Sequence, residues 1–161
     1  MIENGGSSDR PAPHHRRPQG AGDEAVTAAG RMSEALETTE CARGHLYAFH
    51  QLTGRADAQL DDAVTFLREA GQDDLADRVA RELIGRNVLT GRWTFQLVEE
   101  YDDGYYQAFR QLEKDVRDRL MEGRRHVYEA EMKERRRTHG LPHHSAVPGS
   151  GETDGEPQDD R

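Results

Sequence analysis

The sequence predicts an all-α protein, an antiparallel bundle of about four helices with a long, projecting C-terminal helix and disordered tails. Apolar residues recur at steps of three and four across residues 32–140, which is the spacing of one helix face. Glycines stand just past these runs, where helices commonly end. The ends lack sustained periodicity and are rich in Gly, Pro, Ser or acidic residues. The sequence therefore predicts a disordered N-terminal arm (1–31), a helical domain (32–140) and a disordered acidic tail (141–161).

The first helix is predicted to begin at Ser33, whose hydroxyl can accept a hydrogen bond from an unpaired N–H of the first turn. Gly54 ends it, because glycine adopts the left-handed conformation of a helix C-terminus at little cost. Its core-facing stripe is predicted to be Ala35, Thr39, Ala42, Leu46, Phe49 and Thr53.

Two shorter helices follow. Asp57 is predicted to cap the second helix, which Gly71 closes. Asp73 or Asp74 opens the third, and Gly85 lies just past its end. Because the connection between them is short, these helices should form a compact hairpin.

The last helix is predicted to be capped by Thr90, to start at Trp93 or Thr94 and to run to Arg137. Unbroken, it would be about 66 Å long at about 1.5 Å per residue, whereas a compact core of this size is roughly 35 Å across. It must therefore break, most plausibly within residues 102–104, or project. We predict a continuous or mildly kinked helix whose C-terminal half projects.

A projecting arm would leave apolar side chains without cover, so we expect it to form a homodimer or to dock a protein partner, as helices do in a coiled coil. The leading hypothesis is a non-catalytic interaction or structural module. Its predicted interaction surface consists of Val127, Tyr128, Met132, Arg124, Arg135, Arg136 and Arg137.

The basic end of this helix, Arg124–Arg137, supports a second hypothesis, a regulator that associates with nucleic acid. Acidic residues are interleaved with the cations, however, and Glu131 stands four residues before Arg135, a spacing that supports helix formation. The net charge of −9 also disfavours a general binder of polyanions. A solvated charged face explains the pattern better.

A third hypothesis is a metal-binding helical protein. Cys41 and His45 share a helix face, with Glu37 one turn earlier, and all three side chains can be metal ligands. A structural zinc site needs four ligands, and no second pair has matching spacing, so an inert cysteine beside a histidine is the simpler interpretation. The Glu-x-x-His signature of di-iron bundles is absent. We expect no cofactor.

Two further motifs favour structural roles over chemistry. The carboxylates of residues 99–103 (EEYDD) could raise one another's pKa, but on a helix they spread around the circumference. The segment 85–93 (GRNVLTGRW) could hold an anion at a helix start, yet Gly85 and Thr90 as helix stop and start, with Trp93 in the core, explain it better. The sequence does not predict an enzyme.

The expected location is the cytoplasm. The N-terminus lacks a charged-then-apolar signal pattern, and Cys41 is the only cysteine, so no intramolecular disulfide can form. No apolar run approaches the roughly 18 residues of a membrane span.

Three stretches carry a resemblance: FHQLTG (49–54), GRNVLTGRWTFQLVEEYDDGYY (85–106) and GRRHVYEAEMKERRRTHG (123–140). Together they resemble an uncharacterised family of small all-helical proteins from high-GC bacteria, over roughly residues 33–140. The resemblance implies a helical fold and implies no activity, cofactor or site residue.

Overall fold

The structure is a computed structural model that describes residues 9–147. These residues contain helices and no strand, which confirms the all-α fold class. The predicted arm and tail lie outside the described residues at positions 1–8 and 148–161. After a short 3₁₀ helix (Pro13–His15) come α1 (Asp23–Glu69), α2 (Asp73–Glu82), α3 (Thr94–Tyr101), a π-helical turn (Asp102–Tyr106), α4 (Gln107–Met121) and α5 (Val127–Arg136).

The chain divides into two compact units. The terminal unit combines residues 1–33 with 113–161, and the middle unit is residues 34–112. The divisions fall inside α1 and α4. Each unit is described by itself below.

Helix α1 is one continuous helix where two were predicted. Ser33 lies inside it and does not cap it; its hydroxyl donates instead to Glu113, at 3.1 Å. Gly54 does not end it either. A glycine inside a helix costs only about 1 kcal/mol relative to alanine. Thr53 and Asp57, on either side of Gly54, are both half-buried, so the packed face of α1 continues past the glycine.

The N-terminal arm differs from the prediction. Helix α1 begins at Asp23, and Val26 and Ala29 are buried in the core of the terminal unit, together with Met121 and Val127. These two small residues are too short a stripe to be conspicuous in the sequence. They become core residues because α4 and α5 supply the apolar surface that they cover.

The predicted boundaries around α2 are confirmed. Gly71 and Gly85 have φ of +72° and +71°, the left-handed conformation that glycine tolerates best. The α1–α2 hairpin carries an ion pair between Arg68 and Asp77, at 2.9 Å. Helix α3 begins at Thr94 as predicted, but Trp93 stands at the cap in place of Thr90, and the Trp93 N–H donates to Gln96 Oε1 at 2.9 Å.

The long last helix is interrupted, which corrects the predicted projecting arm. The chain passes through Gly104 as a π-helical turn and stays helical until Met121. There Glu122 (φ +51°) and Gly123 (φ +75°) adopt the left-handed conformation, and the helix ends. The Gly123 N–H donates to the carbonyl of Arg117 at 3.2 Å, closing the helix end.

Helix α5 then packs on the first turns of α1 within the terminal unit. Val127 is buried against Val26 and Ala29, and Tyr128 lies directly over Gly30. A Cβ built on Gly30 would stand 2.6 Å from Tyr128 Cγ, so only glycine permits this approach. Burial of Val127 and Tyr128 replaces the exposed arm that the sequence suggested.

Candidate interaction surface

In the middle unit, α1 presents one face to its own chain with a regular 3–4 repeat. We call this face the inward seam. All of its residues are buried or half-buried, and the steps of three and four average 3.5, the repeat of helices that pack along their length. The inward seam consists of Leu36, Thr39, Arg43, Leu46, His50, Thr53, Asp57, Leu60, Val64 and Leu67.

Three polar residues of the inward seam, Arg43, His50 and Asp57, form hydrogen bonds to residues outside α1. Arg43 donates to both carboxylate oxygens of Asp102, at 2.6 and 2.7 Å. This paired hydrogen bond raises the pKa of Arg43 and lowers the pKa of Asp102. His50 Nδ1 bonds to Thr94 Oγ1 at 2.8 Å. Such directional contacts fix the register of α1 against α3 and the π-helical turn.

Asp57 and Tyr106 complete this polar set. Asp57 Oδ1 accepts a hydrogen bond from the Gly85 N–H at 2.9 Å. The Tyr106 ring lies under the guanidinium groups of Arg43 and Arg110, at 5.5 and 5.6 Å, and its hydroxyl donates to Glu40. Burial, followed by the hydrogen bond to Glu40, raises the pKa of Tyr106. Each of these polar groups has a partner within the chain, so together they fix the register of α1 against the segments that it contacts.

A second 3–4 repeat runs along α1 one position before the first. We call it the outward seam, and every one of its residues is exposed. None of these residues carries a formal charge when histidine is neutral. One residue is about 100° of helix rotation, so the two seams are distinct faces. The outward seam consists of Ala35, Thr38, Ala42, His45, Phe49, Leu52, Ala56, Gln59, Ala63 and Phe66.

Large apolar side chains on the outward seam stand in water. Phe49 is 41%, Leu52 57% and Phe66 66% exposed. Among the described residues of the middle unit, only Ala76 and Val98 are buried hydrophobic residues. The described middle unit thus combines few fully buried hydrophobic residues with a row of exposed large ones, and exposed apolar patches commonly mark interaction sites.

A groove of about 600 Å³ lies beside the inward seam, between α1 and the segment after α2. Its walls include Thr53, Leu60, Leu83, Val88 and Trp93. The sequence placed Trp93 in the core, but the structure leaves it 59% exposed and in edge contact with the Phe95 ring. Trp93 is exposed because it occupies the cap position of α3, outside the first helical turn.

The predicted C-terminal interaction surface is dispersed by the fold. Val127 is buried, and Tyr128 packs on Gly30. Arg124 donates to the carbonyl of Arg16 at 3.0 Å and pairs with Glu122 at 2.8 Å. Three residues of the predicted set remain exposed: Met132, Arg135 and Arg136.

Arg137 is a structural residue of the terminal unit. Its side chain is 3% exposed and donates to Glu134, to the Asp9 carboxylate and to the carbonyls of Asp9 and His144. These contacts raise the pKa of Arg137, chiefly through Glu134, and lower the pKa of Asp9 and of Glu134. The cation is therefore neutralised within the fold, which weakens the case for phosphate binding at this end.

The metal candidates are not assembled into a site. Glu37, Cys41 and His45 are all exposed on α1. Across residues 9–147, no group of three or more His, Cys, Asp or Glu side chains is positioned to hold a metal ion. In the same range, none of the helices combines the length and the apolar character needed to cross a membrane.

Comparison of the chain with protein-family models, with curated proteins and with solved structures gave no match. The resemblance to a family of small helical proteins, like the cytoplasmic location, stays a prediction.

The outward seam is the feature that sequence reasoning missed. The predicted stripe mixed residues of both seams, with Ala42 and Phe49 in place of Arg43 and His50. The sequence contains both seams as neighbouring 3–4 repeats in one helix. The inward seam includes polar residues that need partners, and the outward seam carries no charge.

Proposed function

We propose that this chain is a non-catalytic helical module that self-associates by packing the outward seam of α1 on the outward seam of a second copy. The observation that carries the proposal is the uncharged repeat from Ala35 to Phe66, all of whose residues are exposed, in a unit with few fully buried hydrophobic residues. Units of this size gain stability by oligomerisation when their own core is small.

The area of the seam limits the dimer to a small interface. From Ala35 to Phe66 the helix is about 48 Å long and about 10 Å wide, so two copies in full overlap would cover at most about 1,000 Å², an area typical of weak, reversible association. Phe49, Leu52 and Phe66 expose about 300 Å² per copy, taking roughly 200 Å² for a whole large side chain. Removing these side chains from water is the favourable hydrophobic contribution to association.

A second copy suits the seam better than a charged partner does. A two-fold dimer pairs a surface with itself, so any charge on it would face a like charge near the axis. The outward seam has no formal charge to repel its own copy. Its alternation of alanines with Phe49, Leu52 and Phe66 offers the large and small side chains that interdigitating helices need.

The test compares two alanines of one helix. Ala63 lies on the outward seam and Ala58 off it, and both are exposed. Ala63→Glu would bury a carboxylate in the interface of each copy, so the dissociation constant should rise about 100-fold or more. Ala58→Glu makes the same change in charge and helix propensity and should leave association unchanged. Light scattering during gel filtration over a range of concentrations measures both.

Circular dichroism of the same samples separates association from folding. We expect both variants to keep the helix content of the wild-type chain. Monomers at every concentration in the wild-type protein, or equal association of the two variants, would overturn the proposal. Loss of helix in Ala63→Glu alone would show that the seam belongs to the chain's own core, and would overturn it too.

A further inference from the structure

One edge of the outward seam carries charge and the other does not. The residues that precede every second seam position lie on one edge: Glu34, Cys41, Ala48, Arg55 and Asp62. Glu69, seven residues after Asp62, continues this edge, and we call it the charged edge. The opposite edge consists of every second residue of the inward seam, and none of these carries a charge: Thr39, Leu46, Thr53, Leu60 and Leu67. This asymmetry distinguishes the two directions in which a second copy could lie.

In a parallel pair, the charged edge of each helix faces the uncharged edge of the other. Arg55 and Asp62 would then lose water without gaining an opposite charge, which costs stability. In an antiparallel pair, charged edge meets charged edge. Edge positions decide orientation and partner in paired helices through such contacts, so the antiparallel arrangement is favoured.

The register follows from the same charges. When Phe49 lies opposite Phe66 of the partner subunit, Arg55 lies opposite Asp62 of the partner subunit, and two-fold symmetry forms this pair twice. In this register the two α1 helices overlap over residues 46–69, about 36 Å, and cover about 700 Å² in total. A shift of one heptad in one direction places Arg55 opposite itself. A shift in the other direction places Asp62 opposite itself. The second shift also places Arg55 opposite Glu69 of the partner subunit, but it keeps the Asp62 repulsion and loses the aromatic pair. The first register alone combines the aromatic pair with opposite charges and no like-charge contact.

We infer that the second copy docks antiparallel, with Phe49 against Phe66 of the partner subunit, and that Arg55 and Asp62 select this register. The inference rests on the proposed function, since it specifies the same interface. The structure leaves both Arg55 and Asp62 exposed in the single chain, available to a partner.

A charge exchange tests the selecting residues. Arg55→Glu or Asp62→Arg alone places like charges together twice, and the dimer dissociation constant should rise about tenfold. The double variant restores opposite charges and should return to within about threefold of the wild type. Asp61→Arg is the matched control, because it makes the same charge change at an exposed position off the edge; it should leave the constant within about twofold. Additive losses in the double variant would overturn the pairing.

Engineered cysteines test the orientation, in a Cys41→Ser background. The register places Leu52 opposite Ala63 of the partner subunit, so Leu52→Cys and Ala63→Cys chains should form a disulfide only when mixed. Each variant alone holds its two thiols about 16 Å apart along the axis, beyond the roughly 7 Å limit between Cα atoms.

Light scattering of the same samples distinguishes a wrong orientation or register from a failure to self-associate. Dimers in which each variant cross-links alone would establish a parallel pair, and would overturn the inference while leaving the proposed function intact. Dimers without cross-links in any mixture would also overturn the register. Monomers throughout would overturn the proposed function itself.

Discussion

Replacing Gly30 by alanine tests how α5 packs on α1. In an open helix interior, alanine is more stable than glycine by about 1 kcal/mol. At Gly30 the new Cβ would stand 2.6 Å from Tyr128 Cγ and 2.7 Å from Tyr128 Cβ. Those atoms are the root of the side chain and cannot swing away unless α5 moves. Overpacking of this kind costs about 1–3 kcal/mol, so we expect a net loss of up to about 2 kcal/mol.

The same helix supplies matched controls. A Cβ at Gly44 or Gly54 would meet nothing within 4 Å, so each alanine substitution there should stabilise the chain by about 0.5–1 kcal/mol. Urea unfolding followed by circular dichroism measures all three variants. If Gly30→Ala gained stability like the controls, α5 would not lie against the first turns of α1, and the account of the terminal unit would be refuted.

Two further predictions concern Arg137. Replacing it by methionine removes its hydrogen bonds to Glu134, Asp9 and His144 and should lower the free energy of unfolding. Water can reach the half-exposed carboxylates left behind, so the loss should be limited to about 1–3 kcal/mol. A change below about 0.5 kcal/mol in urea unfolding would contradict a structural role for Arg137. The second prediction is acid sensitivity. Arg137 lowers the pKa of Asp9 and Glu134 below their ordinary values of 3.8 and 4.5, so the unfolded chain binds protons first. The stability that these carboxylates contribute is complete above about pH 5 and is lost as the pH falls through their lowered values. The urea midpoint should drop below about pH 4 in the wild type and less steeply in Arg137→Met, and equal slopes in the two proteins would argue against this linkage.

Local signals in the sequence were sufficient for several helix boundaries. Gly71 and Gly85 follow helix ends in the left-handed conformation, which glycine adopts at little cost. Thr94 starts α3 for similarly local reasons. The all-α class followed from periodicity, which depends on burial of one face and is visible without knowing the partner face.

Tertiary partners decided what the sequence could not show. Arg43 occupies the inward seam only because Asp102 meets it, and a charged residue without a known partner is normally assigned to the surface. The predicted stripe therefore included Ala42 and Phe49 of the outward seam in place of Arg43 and His50, and the outward seam was not recognised as a separate face. The helix end at Glu122 and Gly123 was missed for a comparable reason. Helix α5 packs on Val26 and Ala29, and in the sequence these two residues look like part of a polar arm.

Thiol reactivity along α1 tests most directly whether a second copy covers the outward seam. In a Cys41→Ser background, Ala63→Cys and Ala58→Cys each place one thiol on the same helix, and both sites are exposed in the single chain. The rate of alkylation at position 63 should fall as the protein concentration rises through the dimer dissociation constant, while the rate at position 58 stays constant. Equal rates at both positions at every concentration would contradict the account.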